Sequence, residues 1–300
     1  MKLTRHVSGG LDPVVLARRI GLEADEWQQE VLRSPHPREL LIVHRQGGKS
    51  ATAAVAAVHC ALYRPDSLVL VVSPSQRQSQ ELFRTVLTLY RGLGRPVEAE
   101  SENALSMTLE NGSRVVALPA DATTIRGYSA VNLLIVDEAA FVGDDTMAAV
   151  RPMLAISDGR MMAMSTPFGR RGWFFEASKS SEWRVTKITA DQCPRITPEF
   201  LAAERAALGD WRFRQEYDCE FVDVAGMMFT TDGIDAMFGG GDLGALADDP
   251  FFGRQPAVSV LPPPAASSQC PRRRDGHYWH IGQCIHCGTN KPLLTAGGVL

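Results

Sequence analysis

The stretch His44-Arg45-Gln46-Gly47-Gly48-Lys49-Ser50, set directly after the apolar run Leu40 to Val43, constrains this chain more than any other. A short buried strand leads into a turn with adjacent glycines, and Lys-Ser then opens an alanine-rich helix. That order makes a cradle for a nucleoside triphosphate. The turn presents backbone N–H groups to the phosphates, and the helix adds the positive end of its dipole. Lys49 is expected to reach the β- and γ-phosphates, and the Ser50 hydroxyl to sit on Mg²⁺. The strict pattern wants a glycine five positions before Gly48, where this chain has Val43. By pattern alone the match is incomplete.

A second segment agrees with the first. Val131-Asn132-Leu133-Leu134-Ile135-Val136-Asp137-Glu138-Ala139-Ala140 is an apolar run that ends in two carboxylates. It reads as a strand buried on both faces with acids at its C-terminal end, where open α/β sheets bind ligands. Asp137 is expected to hold Mg²⁺, and Glu138 to polarise the water that attacks the γ-phosphate. The spacing from the glycine turn, roughly 90 residues, leaves room for the β/α units between them. A cap for the following helix is the plainer use of an Asp-Glu pair.

Three hundred residues allow one large α/β domain with small additions. No apolar run approaches the ~20 residues that span a bilayer, and Met1-Lys2-Leu3-Thr4-Arg5-His6 has no signal-like apolar segment behind it. The six cysteines are scattered through the body or crowded near the end, which is no disulfide framework and favours a reducing compartment. A net charge of −3 gives no global basic footprint, so any nucleic-acid contact must come from a local patch.

Strand-like and helix-like segments alternate up to about residue 220. Leu40–Val43, Leu68–Val72, Asn132–Val136, Arg160–Met164 and Trp183–Ile188 read as strands. Leu11–Leu32 (with a break near Gly21), Ser50–Tyr63, Gln76–Tyr90, Pro198–Leu208 and Trp211–Glu220 read as helices. Asn111-Gly112 joins two β-like runs, Ala104–Glu110 and Ser113–Leu118, into a hairpin. The expected fold is α/β, a P-loop NTPase with a doubly wound, mostly parallel sheet of RecA-like type. The domain is placed at residues 1–228. Gly239-Gly240-Gly241 and Leu261-Pro262-Pro263-Pro264 mark a linker over 229–268, and 291–300 is a tail.

Several segments, in this order, resemble the ATPase domain of the phage terminase large subunit, the motor that packages double-stranded DNA into procapsids. Trp27-Gln28-Gln29-Glu30 resembles the family's adenine-contacting Gln motif. Arg45 to Ser50 resembles its deviant Walker A, which tolerates loss of the first glycine and carries an Arg. Thr124-Ile125-Arg126-Gly127-Tyr128 and Leu134 to Phe141 resemble the Arg-Gly segment and Walker B. Ser165-Thr166-Pro167-Phe168-Gly169 resembles the coupling motif, and Phe213 to Phe221 the closing signature.

The resemblance implies an Mg²⁺-dependent ATPase coupled to DNA translocation. ATP would contact Gln28, Arg45, Gln46, Gly47, Gly48, Lys49, Ser50, Asp137 and Thr166, and Mg²⁺ would be held by Ser50 and Asp137. Glu138 and Lys49 would be catalytic, with Arg45 in cis or Arg126 toward a neighbouring subunit as the transition-state arginine, an effect worth about 10³–10⁵ in rate in other NTPases. The implied partners are double-stranded DNA, a portal protein, a small terminase subunit and further copies in a homo-oligomeric ring. The implied location is the host cytoplasm, transiently at the procapsid portal, with no membrane partner.

Two features depart from the family pattern. The residues after Phe229 are too few for the usual RNase H-like nuclease, so none is expected here and a separate nuclease subunit is a possible partner. Residues 269–290 carry Cys284-x₂-Cys287 followed by Gly288, the spacing of a zinc knuckle. Cys270 and His277 complete a Cys₃His set for Zn²⁺, with His280 or His286 able to replace His277. Two other functions are weighed: a superfamily-2-type helicase, which needs a second RecA-like domain, and a non-catalytic scaffold, against which intact Lys49, Ser50, Asp137 and Glu138 stand.

Overall fold

The central strands carry unbroken apolar runs between their polar ends, and their alternating side chains feed two separate cores. Leu41 and Val43, Val69 and Val71, Leu133 and Ile135, and Met162 and Met164 point to one face. Leu40 and Ile42, Leu70 and Val72, Leu134 and Val136, and Met161 and Ala163 point to the other. Burial on both faces is what a parallel sheet covered by helices on each side requires.

The computed structural model describes residues 9–121 and 125–222, and the backbone of 279–280 and 283–284. The chain divides into two compact units, Met1–Ala236 and Met237–Leu300. The first begins with helices α1 (Pro13–Arg19) and α2 (Glu26–Arg33), followed by strand β1 (Arg38–Val43), helix α3 (Lys49–Tyr63), β2 (Leu68–Ser73) and α4 (Gln76–Gly92). Next come β3 (Ala99–Glu102), β4 (Ser106–Leu109), β5 (Arg114–Pro119) and β6 (Leu133–Asp137). The body closes with α5 (Asp144–Val150), β7 (Arg160–Ser165), α6 (Gly172–Lys179), β8 (Arg184–Ile188), α7 (Pro198–Leu208) and α8 (Asp210–Glu216).

The eight strands form one sheet in the order β3-β4-β5-β2-β6-β7-β1-β8. From β5 to β8 every pairing is parallel, and only the β3-β4-β5 end is antiparallel. Helices α3 and α4 pack on one face. Helix α3 buries Ala53, Ala54, Ala57 and Ala61 beside Val55, Val58 and Leu62. Helix α4 buries Leu82, Phe83, Val86 and Tyr90 at helical spacing. On the other face Met147 and Val150 of α5 and Phe174 of α6 cover the sheet. The β4–β5 turn needs its glycine: Gly112 has φ +80°, and a Cβ there would lie 2.1 Å from Asp66 Oδ1.

Among the described residues no helix is long and apolar enough to cross a membrane. In the second unit the backbone shows a two-residue antiparallel ladder that pairs Cys284 with Trp279. The expected zinc ligands Cys270, His277 and Cys287, and the side chain of Cys284, lie outside the described residues, as does the linker.

Candidate nucleotide site

Strand order decides the layout of the site. β1 delivers the glycine turn and β6 delivers the acids, with β7 paired between them. Ile42 is in register with Ser165, and Asp137 with Met164, so turn, acids and the Ser165-Thr166 step reach one edge of the sheet together.

The turn runs from His44 to Gly48. Both glycines are required by space. A Cβ on Gly47 would fall 2.5 Å from Val43 Cγ1. Gly48 sits at φ +95°, and a Cβ there would meet Gln28 Nε2 at 2.7 Å. Gln46 also adopts a left-handed φ of 62°. Val43, where the strict pattern has glycine, is the last residue of β1 and wholly buried in the core, so the turn starts after it. The turn is anchored from outside: the N–H of His44 donates to the Ile188 carbonyl at 3.0 Å, and that of Arg45 to the Glu216 carbonyl at 3.1 Å.

Lys49 is 9% exposed, and its ammonium donates to the Val43 and His44 carbonyls at 2.8 and 3.0 Å. Burial pulls its pKa down, while the charges of Glu138, Cys219, Asp137 and Glu216 act in the opposite sense. Asp137, also 9% exposed, has its pKa pushed up to about 6, first by burial and then by the neighbouring Glu138 charge. Glu138 is a non-glycine residue at φ 47°, ψ 46° and caps nothing with its side chain, which removes the plainer helix-cap use of this pair. Its carboxylate accepts from Ser165 Oγ at 3.4 Å, and Phe141, three residues on, packs against Phe168 with ring centroids 4.5 Å apart and planes tilted by 38°. Thr166 follows Ser165 and is buried.

Ser50, Asp137 and Glu138 line one cleft of about 450 Å³, whose far wall is α4 with Arg77, Gln78, Glu81 and Arg84. The Ser50 hydroxyl and the Asp137 carboxylate are hard oxygen donors, the kind Mg²⁺ takes. Among the described residues no group of three or more His, Cys, Asp or Glu side chains gathers for a metal, so phosphate and water oxygens would have to complete such a shell.

Gln28, expected at the adenine, is held inside the fold. It is 5% exposed rather than solvent-facing. Its amide nitrogen donates to the Gly48 carbonyl at 3.2 Å and to Thr52 Oγ1 at 2.9 Å, and its oxygen accepts from the Asp25 N–H at 2.8 Å. The carboxamide is thus spent on bracing the turn. Arg45 and Gln46 are exposed and line a different cleft from Ser50. Arg126 is exposed, lines neither cleft and bonds to none of the described residues. The sequence reasoning missed Arg77 and Glu81, whose only signal was the polar face of α4 directly after β2. It also missed Glu216, which acts through its backbone.

Fold and site together define a P-loop nucleotide-binding fold with one strand between phosphate loop and paired acids. Residues 40–168 match the family described as RNA cytidine acetyltransferase NAT10/TcmA, helicase domain. The terminase large subunit of Thermus virus P23-45 is 26% identical over 257 residues, covering 73% of this chain and 52% of that protein. That of Escherichia phage T5 is 28% identical over 201 residues, covering 63% and 45%. The chain therefore spans about half the length of the curated relatives it matches. The large terminase ATPase domain of Thermus phage P74-26 superposes with a TM-score of 0.62 at 23% identity, over 69% of this chain and 97% of that one. A large terminase from a further thermophilic bacteriophage, solved with ADP, gives a TM-score of 0.55 at 11% identity over 66% and 54%. The chain is a homologue of phage terminase large subunits, and its described body has the fold of their ATPase domain.

Proposed function

We propose that this chain is the ATP-hydrolysing motor part of a phage machine that packages double-stranded DNA. The carrying observation is the convergence of Lys49, Ser50, Asp137 and Glu138 at one sheet edge, with β7 between the two arms. In this reading Lys49 leaves its two carbonyls for the phosphates, and Ser50 and Asp137 hold Mg²⁺. When bound, the ion would neutralise phosphate charge. Water held by Glu138 attacks the γ-phosphorus, the bond from that atom to the bridging oxygen breaks, and ADP and phosphate leave. The water's proton passes to the Glu138 carboxylate and on to solvent. Arg45 in cis or Arg126 in trans supplies transition-state charge. Ser165, on Glu138, and buried Thr166 relay the state of the site along β7. The motor would act in the host cytoplasm as a ring at the portal, with a small terminase subunit and a separate nuclease, and a zinc module at 269–290 would fold the C-terminal piece.

Hydrolysis by the purified chain, with and without linear double-stranded DNA, tests this beside Glu138→Gln. Mg²⁺-dependent turnover stimulated by DNA and reduced about 10³-fold in the variant is expected. Equal rates in the two proteins overturn it. The helicase-domain match over residues 40–168 favours a second reading as a strand-separating ATPase. Unwinding of a forked duplex without packaging would select that one.

A further inference from the structure

The end of β2 holds a hydroxyl that the fold leaves unused. Ser73 is the last residue of that strand and is wholly buried, and its Oγ meets no hydrogen-bond partner among the described residues. A buried hydroxyl without a partner costs stability that an alanine in the same place would not. Packing alone therefore gives no reason for a serine here.

The register of the sheet fixes what flanks it. β2 lies between β5 and β6. On the β5 side Ser73 stands opposite Pro119, whose ring offers neither donor nor acceptor. On the β6 side Val72 is paired with Val136, so the next step along these parallel strands sets Ser73 beside Asp137. Side chains alternate along a strand, and Ser73 and Asp137 each come two residues after a side chain of one and the same core, Val71 and Ile135. Hydroxyl and carboxylate thus leave the sheet on one face, from strands about 4.8 Å apart, and rotation about χ1 brings them within reach. The serine itself is held in place, since its carbonyl accepts from the Ala120 N–H at 2.8 Å. Carboxylates that hold a metal ion are themselves oriented by a hydrogen bond from a neighbouring group.

We infer that Ser73 is a positioning residue for Asp137: in the loaded site its hydroxyl donates to the Asp137 carboxylate and fixes the orientation in which that group meets Mg²⁺. This rests on the nucleotide reading above. It gives the buried end of β2, which carries no part of the glycine turn or of the paired acids, a share in holding the ion.

The test is calorimetric binding of ADP to the full chain, once with Mg²⁺ and once in EDTA, as wild type, Ser73→Ala and Ser73→Thr. Loss of a hydrogen bond to a metal-holding carboxylate predicts about 10-fold weaker ADP binding by Ser73→Ala when Mg²⁺ is present. In EDTA the three proteins should bind ADP equally. The thermal midpoint of Ser73→Ala in EDTA should not fall, because no bond of the described fold is removed. Ser73→Thr keeps the hydroxyl and should bind as the wild type does. Undiminished affinity of Ser73→Ala with Mg²⁺ overturns the inference, as does an equal loss with and without the ion. Equal losses in Ser73→Ala and Ser73→Thr overturn it too, since they assign the effect to packing. A wild type that binds no ADP overturns the nucleotide reading and the serine's role with it. A wild type that gains affinity from Mg²⁺, beside a Ser73→Ala that gains as much, overturns the serine's role alone.

Discussion

The two ends of the sheet bury charge in opposite ways. At the end where the parallel strands begin, Glu39 of β1 is fully buried, and the first residues of its two neighbours answer it. Arg160 of β7 and Arg184 of β8 each lie 3.6 Å from its carboxylate, and Ser34 donates to it as well. At the end where the strands finish, Lys49 and Asp137 are nearly as buried. Among the described residues Lys49 forms no ion pair and rests on two carbonyls, while Asp137 is crowded by a second carboxylate. A buried charge met by opposite charges serves the fold. One met by dipoles, or by a like charge, is held ready for something that brings its own charge.

The contrast breaks if either end behaves like the other. The largest effect belongs to Lys49→Ala, which should reduce ATP turnover about 10³-fold, some 4 kcal/mol of transition-state stabilisation, without lowering the thermal midpoint. Next, Glu39→Ala should cost about 3 kcal/mol in urea unfolding, because it strands two arginines. The kcat of the remaining folded protein should stay within about twofold. Comparable in size but opposite in sign, Asp137→Asn should stabilise the chain by about 3 kcal/mol at pH 7 when unfolding is followed in EDTA. The sign follows from a pKa raised from 3.8 to about 6. The folded state holds a proton that the unfolded chain has lost, so stability falls as pH rises across that window. The gain from Asn should therefore vanish near pH 4. A gain that persists there would place its origin outside the buried charge.

The contrast also marks what the sequence could reveal. Strands β1, β2, β6 and β7 were legible because burial on both faces writes an unbroken apolar run, and Asn111-Gly112 announced the β4–β5 turn. Strand β3, Ala-Glu-Ser-Glu, was not, since an edge strand needs neither apolar runs nor alternation. Helices α5 and α6 are seven and eight residues long, too short for a helical period to stand out. The helix read through Glu220 stops at Glu216, because Cys219 turns to φ 53° and offers its thiol to the Ile188 carbonyl. In the candidate site, Lys49, Ser50, Asp137 and Glu138 stand in local patterns that the sequence displays. Residues that act through tertiary placement left no such mark, among them Glu216 by its carbonyl and Arg77 across the cleft.

Gln28 sharpens the comparison, since it is a buried polar group at the end that holds Lys49 and Asp137 and its bonds are made. Gln28→Ala removes the brace, but the damage is bounded. The Gly48 carbonyl still accepts from the Thr52 N–H and hydroxyl, each at 3.1 Å, so the chief loss is the Asp25 N–H partner at the head of α2. About 1 kcal/mol of stability should go with it. The binding pattern is the more telling readout. A residue that shapes the turn should weaken ADP and tripolyphosphate together by a few-fold, because both ligands use the turn's N–H groups. A residue that touches the base should weaken ADP alone. Equal weakening assigns Gln28 to the phosphate loop. Loss confined to ADP would mean that the carboxamide gives up its bonds to Gly48 and Thr52 when the nucleotide enters.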